Sequence, residues 1–247
     1  MIERQLEIST ADGKMNTFIC HPERFAPHPA ILLFMDAPGI REELRDMARR
    51  LATSGYYVML PNMYYRSGAM ELGPINPDPE SPERKRMFSL MNSLTIPMIM
   101  DDTRALLTYA EGQAAANTRL VGTVGYCMSG RYAVNAATHF PDRVKAAASV
   151  YGTQLATDQD DSPHLAAAKT KAELYFACAE TDIYAPTEII EKVKQGMSGA
   201  KNGAKAEVEI YPGTHHGFAF PKRPVYDRDA AERHWERLLA LYRRNLV

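Results

Sequence analysis

The sequence predicts an α/β protein, a mainly parallel sheet with helices on both faces, in a single domain over residues 1–247. Three observations carry that expectation. Apolar runs of strand length alternate with stretches of helical period, and parallel strands require such crossover helices. One apolar run breaks at Gly125-Tyr126-Cys127-Met128-Ser129-Gly130, a glycine-bracketed turn from strand to helix. A chain of 247 residues with 45% hydrophobic content also suffices for one large core.

The elements follow in order. Residues 6–9 and 16–20 flank Ala11-Asp12-Gly13, which reads as a hairpin turn between antiparallel edge strands. Residues 31–35 form a buried strand. It leads to a helix with Leu44, Met47, Ala48 and Leu51 at i, i+3, i+4 and i+7, stopped by Gly55. The next strand, 57–60, is closed by Pro61. Residues 64–97 read as irregular, because Gly68, Gly73, Pro74, Pro77, Pro79 and Pro82 interrupt any period until a short helix over 83–92. Such a stretch inside a compact domain suits a binding loop, and its Arg84, Lys85 and Arg86 suit either a solvated helix face or an anionic substrate. Further strands are expected at 120–124, 146–150, 172–178 and 206–211. A closing helix carries Ala231, Trp235, Leu238 and Tyr242 on one face. No internal repeat and no linker divides the chain.

The turn at Cys127 has the spacing of a nucleophile elbow. So tight a turn holds its central residue in a strained backbone conformation and tolerates only small residues two positions either side, here Gly125 and Ser129. Cys127 takes the nucleophile position, and the N-terminus of the following helix favours a thiolate there. A lone cysteine also packs as a small hydrophobe, and a glycine-bracketed turn can cradle phosphate. However, Gly122, Gly125 and Gly130 do not spell G-x-G-x-x-G, and no Walker lysine follows.

Chain order supports catalysis. In α/β-hydrolase folds the nucleophile precedes an acid after a later strand, and a histidine comes last. The strand over 172–178 ends in Ala179-Glu180-Thr181-Asp182, which puts Asp182 in a loop ahead of a helix opening near Pro186. The strand over 206–211 ends in Pro212-Gly213-Thr214-His215-His216-Gly217-Phe218, so a histidine hangs from another strand end on the same edge of the sheet. The residues alone leave His215 and His216 both open.

The G-Y-C-x-x-G elbow, the strand-end Asp and the Y-x-G-x-x-H-G-F segment together resemble the dienelactone hydrolase family, over nearly the whole chain. The resemblance implies an α/β-hydrolase-type sheet with Cys127, Asp182 and His216 as catalytic residues. It selects His216 over His215, because the family's histidine directly precedes a small residue and Phe. It also implies that the acid at Asp36, typically Glu in the family, takes part in activating the thiol. The shorter Asp departs from that pattern. Arg86 falls near a family arginine that holds the substrate carboxylate. Phe220 stands where the dienelactone-cleaving members carry Arg, four residues after the histidine. Apolar area and a π face thus replace a bidentate fork, which implies a less anionic or more apolar substrate unless Lys222 or Arg223 compensates.

The chemistry implied is acyl transfer on a small-molecule ester or lactone. Cys127 attacks the carbonyl, and His216, oriented by Asp182, relays the proton. The Met128 N–H is expected to form half of an oxyanion hole and the Ala37 N–H the other half. No metal or organic cofactor is needed.

Composition excludes other classes. A net charge of -1 leaves no basic footprint for nucleic acid. No apolar run approaches the ~20 residues that span a bilayer, and Met1-Ile2-Glu3-Arg4 is unlike a signal peptide. Cys20, Cys127 and Cys178 form neither a disulfide framework nor a zinc spacing, so a reducing cytoplasm is expected. The protein is expected to be a monomer or a small homo-oligomer. Two alternatives remain: a thiol-dependent redox or acyl-transfer protein, and a catalytically retired binding module on the same fold. The lack of a C-x-x-C opposes the first, and the intact Cys127, Asp182 and His216 oppose the second.

Overall fold

The hairpin read from Ala11-Asp12-Gly13 opens the chain, with β1 (Ile2–Thr10) and β2 (Gly13–His21) antiparallel and Thr10 opposite Gly13. The structure, a computed structural model, describes every residue except Pro74, Pro77 and 200–203. Two of the expected helix breakers therefore lie outside the described residues. Among the described residues eight strands form a mainly parallel sheet, and the chain divides into two compact units, Met1–Thr118 and Arg119–Val247.

In the first unit the strand order is β1-β2-β4-β3, where β3 is His28–Phe34 and β4 is Tyr57–Pro61. β4 runs parallel to β3 and antiparallel to β2. Ala30 to Phe34 are all buried, and because successive strand side chains point to opposite faces, both faces of β3 are covered. The intervening helix α1 (Glu42–Thr53) buries Leu44, Met47, Ala48 and Leu51, the stripe its period requires. The irregular region is shorter than expected. A 3-10 turn at Tyr65–Ser67 is followed by α2 (Pro82–Asn92), capped by Ser81, and by α3 (Ile96–Glu111). Pro97 lies inside the first turn of α3, where a missing N–H costs nothing, and the Thr95 hydroxyl caps the Met98 N–H.

In the second unit the order is β5-β6-β7-β8, all parallel. β5 (Ala116–Tyr126) leads through a 3-10 turn at Cys127–Ser129 into α4 (Gly130–His139). The small-residue strand β6 (Val144–Val150) has Ala146, Ala147 and Ala148 fully buried, as a strand covered on both faces must. β7 (Glu173–Thr181) precedes α5 (Thr187–Ser198). β8 (Ala206–His215) runs further than expected, through Pro212 and Gly213. It lies last in the strand order, where proline is tolerated, and its register with β7 shifts between Ala179 and Thr181. The closing α6 (Arg228–Leu246) buries Ala231, Trp235, Leu238 and Tyr242, and the Tyr242 hydroxyl donates to the Thr123 carbonyl at 2.9 Å.

Candidate active site

The turn after β5 is built by close backbone approach. Cys127 has φ +57, a conformation that L side chains rarely adopt. A Cβ added at Gly125 would stand 2.1 Å from the Ser129 carbonyl oxygen, so only glycine fits. Ser129 contributes more than small size: its hydroxyl accepts from the Tyr126 N–H at 2.9 Å and donates to the Tyr126 carbonyl at 3.0 Å. A third tight position escaped the sequence reading. A Cβ at Gly130 would lie 2.2 Å from Ser149 Oγ and 2.8 Å from Gly152 Cα, so β6 presses directly on the start of α4. The Cys127 carbonyl accepts from the Thr153 N–H at 3.1 Å, which ties the turn to the end of that strand.

The acid and the histidine meet beside it. Asp182, buried just past β7, accepts the His216 Nδ1–H at 2.7 Å through Oδ2 and the Tyr184 N–H at 2.9 Å through Oδ1. Both carboxylate oxygens are thereby fixed. His215 is the last residue of β8 and is exposed, whereas His216 turns inward at the start of a turn closed by the Phe218 N–H on the His215 carbonyl. Gly217 has φ +99, which suits glycine and makes that turn possible.

His216 Nε2 is buried without a hydrogen bond of good geometry, and the Cys127 thiol lies close enough to act on the ring's charge. Burial pulls the imidazole pKa down, but Cys127 and the Asp182 hydrogen bond outweigh it and push it up to about 9. The other cysteines are chemically quiet: burial raises both the Cys20 and the Cys178 thiol to about 12. Two tyrosines that sequence reasoning missed flank the imidazole. Tyr151, at φ +36 directly after β6, has its ring centroid 5.2 Å from that of His216, and Tyr184 lies at 4.8 Å. The signal for Tyr151 was its place at a strand end on the edge that carries the other catalytic candidates.

The remaining expected residues divide by unit. Met128 is buried in the 3-10 turn next to Cys127. Phe220 has no exposed surface; its ring packs on Tyr126 at 5.5 Å and Tyr151 at 6.3 Å, with the Arg223 guanidinium 5.0 Å above it. In this structure Phe220 thus occupies a packing position. In the first unit Asp36 follows β3, fully buried and held by the fork of Arg41, with Nη1 at 2.5 Å from Oδ1 and Nη2 at 3.1 Å from Oδ2. That partner, which burial alone would destabilise and Asp36 stabilises, was not foreseen. Ala37 is buried, and its carbonyl accepts the Tyr64 hydroxyl at 2.8 Å. Arg86 is exposed on α2. Among the described residues no three His, Cys, Asp or Glu side chains group to hold a metal ion, and no helix is long and apolar enough to cross a membrane.

A solved structure from Klebsiella pneumoniae, described as a putative dienelactone hydrolase, superposes with a TM-score of 0.86 at 23% identity, covering 98% of each chain. A dienelactone hydrolase-like promiscuous phosphotriesterase from metagenomic libraries superposes at 0.80 and 16% identity, covering 100% of this chain and 99% of that one. The fold is that of the α/β hydrolases. In sequence, a protein of Methylorubrum extorquens named "putative carboxymethylenebutenolidase" is 27% identical over 98% of this chain and 81% of its own. A protein of the same name from Escherichia coli K12 is 28% identical over 88% and 77%. The sequence model of the dienelactone hydrolase family matches residues 15–246, and the chain belongs to that family.

Proposed function

We propose that this hydrolase cleaves a small carboxylic ester or lactone through a thioester on Cys127. One observation carries the reading: Cys127 sits at a positive φ in a turn that only small residues allow, beside an imidazole already fixed by a carboxylate. The Cys127 thiolate attacks the carbonyl carbon, and collapse of the tetrahedral adduct breaks the bond to the alcohol oxygen. The leaving alkoxide takes the proton from His216 Nε2. His216 then deprotonates a water that attacks the thioester, the C–S bond breaks, and the acid leaves with the thiolate restored. A His216 pKa of about 9 supports this order, because the ring holds the proton that the first step spends. Asp182 keeps Nε2 directed at sulfur by binding Nδ1. The Met128 N–H, next to the nucleophile, is proposed to receive the developing oxyanion.

The roles of Asp36 in thiol activation, of the Ala37 N–H in the oxyanion hole and of Arg86 at the substrate belong to the same proposal, as does a cytoplasmic setting for the reduced thiol. The test is burst kinetics with an activated aryl ester, with mass spectrometry of the trapped adduct. An acyl group on Cys127, and its absence from an inactive Cys127→Ala, is expected. Undiminished hydrolysis by Cys127→Ala sinks the reading, and a stable sulfenate without ester cleavage favours thiol redox chemistry.

A further inference from the structure

A fully buried imidazole, distinct from the half-buried His216, is left unused by the chemistry above. His234, in the middle of α6, is fully buried. Its Nδ1 faces the Ala231 carbonyl, which can only accept, so Nδ1 carries a proton. In the neutral ring Nε2 is then an acceptor, and the Tyr126 hydroxyl donates to it across 3.0 Å. Tyr126 is the residue before the candidate nucleophile, and its own backbone N–H and carbonyl are both held by Ser129 Oγ. The Tyr126 side chain and the Cys127 turn are thus one rigid piece.

The same imidazole meets the histidine loop. Phe218, two residues after His216, crosses the His234 ring at 84° with centroids 6.3 Å apart, and Tyr126 crosses it at 86° and 5.8 Å. Phe218 also packs on Tyr151 at 5.2 Å, and Tyr151 packs on His216 itself. Two loops from different strands, one carrying the thiol and one the imidazole, therefore rest on one side chain of the last helix.

We infer that His234 is a positioning residue that sets the separation of Cys127 and His216 by accepting the Tyr126 hydroxyl while buttressing Phe218. This rests on the reading of Cys127 as nucleophile. Only the neutral Nδ1–H tautomer serves, and the Ala231 carbonyl selects it. Losing the acceptor removes the hydrogen bond between the Tyr126 hydroxyl and α6 and lets the ring shift the turn. A misplacement of about 1 Å at reacting groups costs on the order of 100-fold in rate, and the loss falls on kcat rather than on substrate binding.

The experiment compares Tyr126→Phe, His234→Leu and His234→Gln with Tyr242→Phe. Tyr242→Phe also deletes a buried hydrogen bond from α6 to β5, but one that touches neither loop. Thermal midpoints, kcat and KM for an aryl ester, and the pH profile of Cys127 alkylation by iodoacetamide are measured for each. The expected result is a kcat loss of about ten- to 100-fold in Tyr126→Phe and His234→Leu with KM little changed. The alkylation profile should shift in both, and His234→Gln, whose amide oxygen can accept the Tyr126 hydroxyl, should recover part of kcat. Tyr242→Phe should lower the midpoint while keeping wild-type kcat. Tyr126→Phe with a kcat loss and alkylation profile no different from Tyr242→Phe overturns the inference, even if His234→Leu fails to fold. Cys127→Ala is measured alongside: if it stays active the nucleophile reading has failed, and if it is dead while Tyr126→Phe matches Tyr242→Phe only the positioning role has failed.

Discussion

Adjacent histidines separate the two readings of the candidate triad most cleanly. His216 Nδ1 is bound to Asp182, while His215 ends β8 with its side chain exposed. His216→Ala is therefore expected to lower kcat by about 10³-fold or more, and His215→Ala by far less. The reverse ranking, measured by steady-state kinetics on one aryl ester, would displace His216. The choice was open in the residues themselves and was made through the Gly217-Phe218 context. The physical reason is the period of two in a strand: neighbouring side chains at a strand end face opposite ways, and only the final register says which faces in. Arg41 on Asp36 is a similar case, because a sequence shows an acid and a base five residues apart without showing that the acid is fully buried and the base half-buried against it.

Elements were read better than their ends. The α1 stripe and the α6 face follow from period, and the hairpin from its Ala11-Asp12-Gly13 turn, whereas β8 outruns Pro212 and α3 was not read from the sequence. Glycines in two helical settings test how much packing decides. Gly130→Ala drives a Cβ to 2.2 Å from Ser149 Oγ, so a loss of about 1–3 kcal/mol is expected from overpacking. Gly199→Ala, at φ -79 after α5 with no non-neighbouring atom of the described residues closer to the added Cβ than 3.6 Å, should gain about 0.4–1 kcal/mol. Urea denaturation of both variants checks the pair, and equal shifts would count against the close approach of β6 to α4. The loop after β8 is tested by Phe220→Arg. The resemblance alone suggests a shift toward carboxylate-bearing substrates; the structure instead forecasts destabilisation on the order of 3–5 kcal/mol from an uncompensated buried charge. Arg223, already 5.0 Å from that ring, would add like-charge repulsion. A Phe220→Arg variant with a wild-type melting midpoint and improved kcat/KM for the carboxylate ester would instead support Phe220 as a substrate contact.

For the chain as a whole, pH is the variable that links the candidate site to stability. The His216 pKa rises from 6.5 to about 9 on folding. The folded state then holds the proton more tightly, so this contribution is fully present below 6.5 and is lost as pH rises through about 9. The gap in melting midpoint between the wild type and His216→Asn is expected to be largest near pH 6 and to close above about pH 9. In the same range kcat/KM should fall as the ring loses the proton it gives to the leaving group. A gap that stays constant over that range would contradict the raised value. Period, breakers and the spacing of the elbow are local properties, fixed within a few residues of each other, and they revealed the α/β class and the Cys127 turn, while the family came from the resemblance of three short motifs. The burial of Phe220, the tyrosines around His216 and the hydrogen bond from Tyr126 to His234, 108 positions apart, are contacts between distant segments. No local pattern encodes them, because each depends on which strand ends the sheet brings side by side.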